Sequence, residues 1–412
     1  MQRHITFTAI GAACALLLAA CGGSGDNHSA PPAAVTPPPA AVAPPVATKL
    51  ETLSSTTRVM DSVVFSGGSA YLSLANSATE GSAVLSARLP LTASSTWSPV
   101  GLGACAMGPI GDFIQRSPKL KMVGGDMWLM QPWADTPEAS NGHSTCTLVA
   151  NTASFIPRDQ DLKTCNPYFC ETLSMQDLKQ AGNRLYSNAG SGNNLLTSSD
   201  KGNTWQVIRG SKDSQMCYPT KFHVIGDRVL VGGECPLDFA FVEAYRLTKD
   251  GGALASEDKL PLALPEIENR NVQFIESVPD SDMVFVGVEG GLLRSTDNGN
   301  SFKFVIHEPL SGGKGYPYIS AFLPLKGKTG TIVVGGFDKM HGRPYLAWTQ
   351  DGGASWTDIS KLVPGYDRKQ DDEFSTPSVS ALAQDPDGRI IVVTNERADG
   401  QGRLMQLTLG TN

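Results

Sequence analysis

Ser295-Thr296-Asp297-Asn298-Gly299-Asn300-Ser301-Phe302 reads as a hairpin turn with its chemistry written out. The Asp carboxylate can accept hydrogen bonds from backbone N–H groups just ahead of it and so close the turn. The Gly takes a positive φ at little cost, and the Ser and Thr hydroxyls extend the local network. The Phe ring is left to bury itself under the turn, between neighbouring sheets. Ser198 to Trp205 and Thr349 to Trp356 repeat the pattern Ser/Thr-x-Asp-x-Gly-x-Ser/Thr-Trp/Phe. Apolar residues precede each copy (Leu195 and Leu196, Leu292 and Leu293, Leu346) and form the strand that enters the hairpin.

A degenerate copy, Thr248-Lys249-Asp250-Gly251-Gly252, fills the gap between the first two. Asp200, Asp250, Asp297 and Asp351 then fall at intervals of 50, 47 and 54 residues. A period of that size with four strands each is the signature of propeller blades. One period back, Phe155 and Trp97 take the aromatic position without the Asp. The repeats place blades at about 60–104, 105–170, 171–216, 217–268, 269–314 and 315–370. The last repeat, from Pro377, has three strands: Val379 to Gln384, Arg389 to Val393 and Arg403 to Thr408. The N-terminal segment Lys49 to Val59 supplies its fourth, which joins the chain ends and leaves no open edge. The fold class expected is all-β, a seven-bladed β-propeller of four-stranded antiparallel blades, with six blades as the alternative. Arg228-Val229-Leu230-Val231, Met283 to Val286, Thr331 to Val334 and Arg389 to Val393 are short β-branched runs that read as buried second strands.

The ends of the chain carry a different message. Ile5 to Ala20 is apolar and too short for a comfortable membrane span, and it ends Leu17-Leu18-Ala19-Ala20-Cys21-Gly22. That ending resembles the bacterial lipobox, which implies a signal peptide over 1–20, lipidation of Cys21 and, with Gly at 22, the outer membrane. Residues 21–47 are rich in Pro, Ala, Gly and Ser and read as an extended tether, leaving 48–412 for the propeller. The net charge of −7 and the lack of any basic run argue against nucleic acid as a partner.

Six cysteines remain in the exported part, an even number that suggests disulfides. Placing them on the propeller gives Cys105–Cys146, Cys165–Cys170 and Cys217–Cys235. No CxxC and no His pair at ligand spacing occurs, so no metal and no cofactor is assigned.

The three turns resemble the Asp-box (BNR) repeat of sialidases and related propellers. In those families the turns gather on one face and ligands bind on the other. The resemblance therefore implies that Asp200, Asp297, Asp351, Trp205, Phe302 and Trp356 are structural. On the opposite face, Gly232-Gly233-Glu234, Gly287-Val288-Glu289, Gly335 to Asp338 and Thr394-Asn395-Glu396 each put a carboxylate just past a second strand. Glu234, Glu289, Asp338 and Glu396, with Arg343, Arg397, His341, Trp133, Tyr218, Tyr316 and Tyr318 nearby, could ring the channel mouth. Carboxylates with aromatic platforms suit a sugar or a cationic ligand. The plain alternative is that these are solvated loop residues with Gly allowing the turn.

The catalytic signatures of sialidases do not accompany the repeats. Phe155-Ile156-Pro157-Arg158 has letters similar to the sialidase Arg-Ile-Pro signature, but in a different order and beside an aromatic of the outer strand. Nucleophile and phosphate-loop motifs are absent. The single propeller on a lipoprotein also resembles, in outline, the photosystem II assembly factor of propeller type, which is not an enzyme. The reading is a membrane-anchored envelope lipoprotein whose monomeric propeller binds a protein or a glycan. The alternative is a glycoside hydrolase working at the channel mouth with two of the four carboxylates.

Overall fold

The computed structural model describes residues 47–75, 79–106, 118–131, 145–148, 154–158, 163–165, 170–172, 175–189, 194–209, 218–234, 240–267, 271–307, 317–339, 341–367, 377–396 and 400–410. Cys21, the signal and most of the tether, Trp133, Cys217, Cys235, Tyr316 and Arg397 lie outside the described residues.

Seven antiparallel sheets follow one another along the chain. Blade 1 holds Met60–Ser66, Ser69–Leu74, Ala83–Arg88 and Ser98–Pro99; blade 2 holds Lys119–Val123, Asp126–Met130, Thr145–Leu148 and Ile156–Pro157. Blade 3 holds Met175–Ala181, Arg184–Ala189, Asn194–Ser198 and Gln206–Arg209. Blade 4 holds Tyr218–Ile225, Arg228–Glu234 and Phe241–Arg246, and a bridge from Ala244 to Leu260 completes its outer edge. Blade 5 holds Val272–Ser277, Val284–Val288, Gly291–Ser295 and Lys303–His307; blade 6 holds Tyr318–Pro324, Ile332–Asp338, Arg343–Thr349 and Thr357–Asp358. Blade 7 holds Ser378–Gln384, Ile390–Glu396 and Gln401–Thr408, and its outer strand is Lys49–Thr56 from the other end of the chain, paired Lys49 to Thr408 and Thr56 to Gly402. The seven-bladed propeller and its closure match the expectation. A short hairpin, Lys163–Cys165 with Cys170–Thr172, stands between blades 2 and 3, with Cys165 directly opposite Cys170.

The core is seven apolar layers, one between each pair of neighbouring blades. Each second strand is buried on both faces: Phe285, Val286, Val333, Val334, Ile391 and Val392 are fully inaccessible. That explains their continuous β-branched texture. Blade 1 is tied to blade 7 by a buried polar clasp. Asn395 accepts from the Met60 N–H at 2.9 Å and donates to the Met60 carbonyl and to Ser380 Oγ.

The three repeated turns are built alike. Ser198 Oγ donates to Asp200 Oδ1 at 2.8 Å, the Thr204 N–H to the same oxygen at 2.9 Å, and the Thr204 hydroxyl to Oδ2 at 2.6 Å. Asp297 receives Ser295, the Ser301 N–H and the Ser301 hydroxyl at 2.6, 2.9 and 2.5 Å. Asp351 receives Thr349, the Ser355 N–H and the Ser355 hydroxyl at 2.6, 3.0 and 2.6 Å. The Thr204 hydroxyl and N–H hold the Asp200 carboxyl down at about 2. Burial pushes Asp297 up, but Ser295 and Ser301 outweigh it and bring it to about 2. The glycine does more than supply its φ of +80° at Gly202: a Cβ there would lie 2.4 Å from the Trp128 ring of the preceding blade. Trp205, Phe302 and Trp356 pack backwards in the same way, into the layers of Trp128, Leu230 and Phe285. In the degenerate copy, Thr248 still caps Asp250 at 2.7 Å, but the loop closes back on itself through Thr248 and Ala253.

Cys105 and Cys146 form a disulfide. Cys146 sits within the third strand of blade 2, opposite Leu129, and both cysteines are buried. The bond closes the segment that leads into that blade.

Candidate functional site

The first strands of the seven blades supply most of the wall of a channel of about 670 Å³, with Met130, Glu289 and Phe337 from beside them. In six of them the register slips by one residue near the end where the second strands finish, at Met60/Val63, Met175/Asp177, Tyr218/Lys221, Val272/Phe274, Ile319/Ala321 and Val379/Ala381. Such bulges re-aim side chains at a rim. Along these strands one pattern repeats, a buried apolar residue flanked by charged or polar ones. It appears as Lys119-Leu120-Lys121, Asp177-Leu178-Lys179 and Lys221-Phe222-His223, with Ile275 followed by Glu276 in blade 5. Blades 6, 7 and 1 instead present Ser320 and Phe322, Ser380 and Leu382, and Ser62 and Val64.

The charges of blades 2 to 5 interlock. Lys121 Nζ lies 2.7 Å from Asp177 Oδ1 and 3.9 Å from Glu276 Oε1. Lys179 Nζ lies 2.7 Å from Glu276 Oε1 and 3.6 Å from Asp177 Oδ2, and it also donates to the Ile275 carbonyl. Burial alone would raise both carboxyls, but the two lysines outweigh it and hold Asp177 and Glu276 below the usual range. Burial and then Lys179 push His223 down to about 4, so the ring is neutral near pH 7. Its Nδ1 therefore accepts from Lys179 at 3.3 Å, and its Nε2–H donates to Ser277 Oγ at 3.0 Å. The 3.7 Å approach of His223 to Glu276 is accordingly not an ion pair at that pH. Lys221 is pushed down to about 7, first by burial and then by Lys119, against the pull of Asp177.

Of the residues singled out by sequence, Glu289 and Tyr318 line this channel. Glu234, Asp338 and Glu396 are the last residues of second strands, one strand removed from the axis, rather than residues just past the strand end. Glu234 accepts from Asn271 at 2.8 Å. Asp338 holds His341 at 2.6 Å and Arg343 at 3.2 Å, and Arg343 stacks over Tyr366. Glu396, almost wholly buried, is paired with Arg403. Tyr318 and Phe337 stack at 4.4 Å on the channel wall, with Lys339 above the Tyr318 ring. The glycines before these acids serve close packing: a Cβ on Gly336 would lie 1.8 Å from the Tyr318 carbonyl oxygen. Arg158 reaches Thr147 and Asn203 at the outer edge of blade 2.

Sequence reading passed over Lys119, Lys121, Asp177, Lys179, Lys221, His223 and Glu276. Their signal was present, as charged residues alternating with apolar ones in the first strand of four consecutive repeats. Among the described residues, no group of three or more His, Cys, Asp or Glu is arranged to hold a metal ion.

No family model matches the chain, and no curated protein matches it. Solved β-propellers do match over most of its length. The WD40 β-propeller domain of Doa1 is similar with a TM-score of 0.50 at 11% identity, over 87% of this chain and 97% of that one. YCF48 from Cyanidioschyzon merolae has a TM-score of 0.49 at 12% identity, over 88% and 98%. YCF48 bound to D1 peptide has 0.48 at 15%, over 89% and 96%. The class of protein is thus a single seven-bladed β-propeller. At such identity the likeness extends to the fold alone.

Proposed function

We propose that this chain is an exported lipoprotein, anchored in the outer membrane through lipid on Cys21, whose propeller is a non-catalytic binding module for an envelope protein or glycan. The observation that carries the reading is the state of the mouth carboxylates. Asp338 and Glu396 are committed to arginines of their own blades and Glu234 to Asn271. A glycoside hydrolase needs one carboxyl free to give up a proton and a second facing it across the substrate. Groups tied down in this way instead rigidify the ends of their strands, and the channel wall offers the Tyr318–Phe337 stack for recognition. The lipobox-like Leu17 to Cys21 and the Pro-rich tether support the anchoring.

Cross-linking in native membranes tests the reading, with wild type compared against Arg343→Ala. A partner protein or glycan recovered reproducibly with wild type and lost from the variant is the expected result. Recovery of none, together with turnover of aryl glycosides or polysaccharides that Glu289→Gln abolishes, would replace it with the enzyme. Labelling with radioactive palmitate, lost in Cys21→Ser, tests the anchor separately.

A further inference from the structure

The channel wall of blades 2 to 4 has more cations than it can pair. Four lysines face one another there: Lys119, Lys121, Lys179 and Lys221. Two carboxylates meet them, and three of their four oxygens are taken. Asp177 Oδ1 accepts from Lys121 and from the Leu178 N–H at 2.8 Å, and Oδ2 faces Lys179. Glu276 Oε1 is held by Lys179 and Lys121. Asp61 and Glu289, the other carboxylates on the wall, make contacts of their own. His223 is neutral near pH 7. Among the described residues neither Lys119 nor Lys221 has a carboxylate within ion-pair distance, although Asp177 still acts on Lys221, and both line a cavity open to solvent. Ser320, exposed on the opposite wall, offers a hydroxyl donor.

We propose that Lys119 and Lys221, with the Ser320 hydroxyl on the wall of the same channel, form a binding site for a small dianion, a tetrahedral oxyanion or a dicarboxylate. This site shares the channel with the Tyr318–Phe337 stack of the partner-binding reading but uses different side chains, and the two can fail separately. A doubly charged ligand balances the two unpaired lysines, and charge-assisted hydrogen bonds of this kind are the strong ones. The cavity is large enough for a small organic acid. Lys119, Lys121 and Lys179 repel a proton on Lys221, while Asp177 favours it. A bound dianion favours it further, so binding takes up a proton near neutral pH.

The test is calorimetric titration of the full exported chain in detergent, with sodium sulfate in one arm and succinate in the other. Sulfate stays doubly charged throughout the pH series and keeps the proton balance clean. Saturable binding of either probe at pH 6 is expected, about tenfold or more weaker at pH 8.5, and the tighter probe names the ligand class. The Lys119→Met/Lys221→Met double variant should bind at least about tenfold more weakly. Lys249→Met, an exposed lysine in the blade 4 turn, should bind like wild type. A melting curve for each variant confirms folding. No saturable binding of either probe by wild type, or full binding by the folded double variant, overturns the proposal.

Discussion

Replacing Lys221 by Met should make the protein more stable, and by an amount that depends on pH in a definite direction. Met has a comparable reach without the charge. In the folded chain burial and the neighbouring lysines push Lys221 from 10.5 to about 7. Each tenfold change in proton affinity is worth about 1.4 kcal/mol, so the charged form costs the fold at most about 5 kcal/mol. Lys221 is partly exposed, and solvent screening brings a realistic figure to about half of that. The sign follows from proton counting. Below pH 7 the side chain is charged in both the folded and the unfolded chain, and the full cost is present. Between about 7 and 10.5 the unfolded chain binds the extra proton, so wild-type stability rises with pH. Above 10.5 both are neutral and the cost is gone. Lys221→Met should therefore exceed wild type by about 2–3 kcal/mol at pH 6 and by about 1 kcal/mol at pH 9. Urea unfolding at pH 6, 7.5 and 9 measures this, with midpoints compared at constant slope. A difference that stays flat across the series, or a variant less stable at pH 6, refutes the account of the channel charges.

Other parts of the fold make equally direct predictions. Asp297→Ala removes the acceptor for Ser295 and Ser301 and should cost about 1–2 kcal/mol in urea unfolding. Because Asp200 and Asp297 are held at about 2, their share of stability is present above about pH 4 and lost as pH falls through 2, which an acid titration by circular dichroism follows. Cys105→Ala/Cys146→Ala opens a loop of 41 residues' separation and should cost about 4 kcal/mol on chain entropy, read as a lowered melting temperature under non-reducing conditions. Gly336→Ala drives a Cβ into the Tyr318 carbonyl. It should yield little folded protein on export, and a soluble, fully stable variant would contradict the packing described.

The turns announced the fold because their information is local. Asp297 acts on Ser295 and Ser301 within four positions, so a repeated string reveals a repeated turn. The closing strand Lys49–Thr56 was also legible, since a last repeat with three strands leaves one edge unpaired. The buried second strands showed themselves by β-branched runs. The channel was harder to read. Glu234 and Asp338 stood after glycine pairs, and Glu396 after Thr394-Asn395, and all looked like loop residues, whereas the glycines serve close packing and the acids end strands. Their partners Arg343 and Arg403 lie five and seven residues downstream across a hairpin, at register positions a string does not display. Lys119, Asp177, Lys221 and Glu276 come from four blades. Nothing in sequence brings them together until the ring is closed.

Once closed, the ring poses a question that its geometry does not answer. Seven first strands stand around one axis, and their backbones impose no polarity on the channel. The side chains do: blades 2 to 5 carry the interlocked charges, while blades 6, 7 and 1 carry Phe322, Leu382 and Val64 with Ser320, Ser380 and Ser62, and blade 1 adds Asp61. A wall chosen for stability alone would have paired Lys221 or replaced it by an apolar residue, because a partly buried charge with no ion-pair partner is costly. Local rules are broken at sites where another demand overrides them. Stability and binding then move in opposite directions at Lys221, where substitution gains the first and loses the second. At Asp297 substitution loses stability and leaves dianion binding untouched. That crossed pattern separates a binding channel from a merely imperfect core.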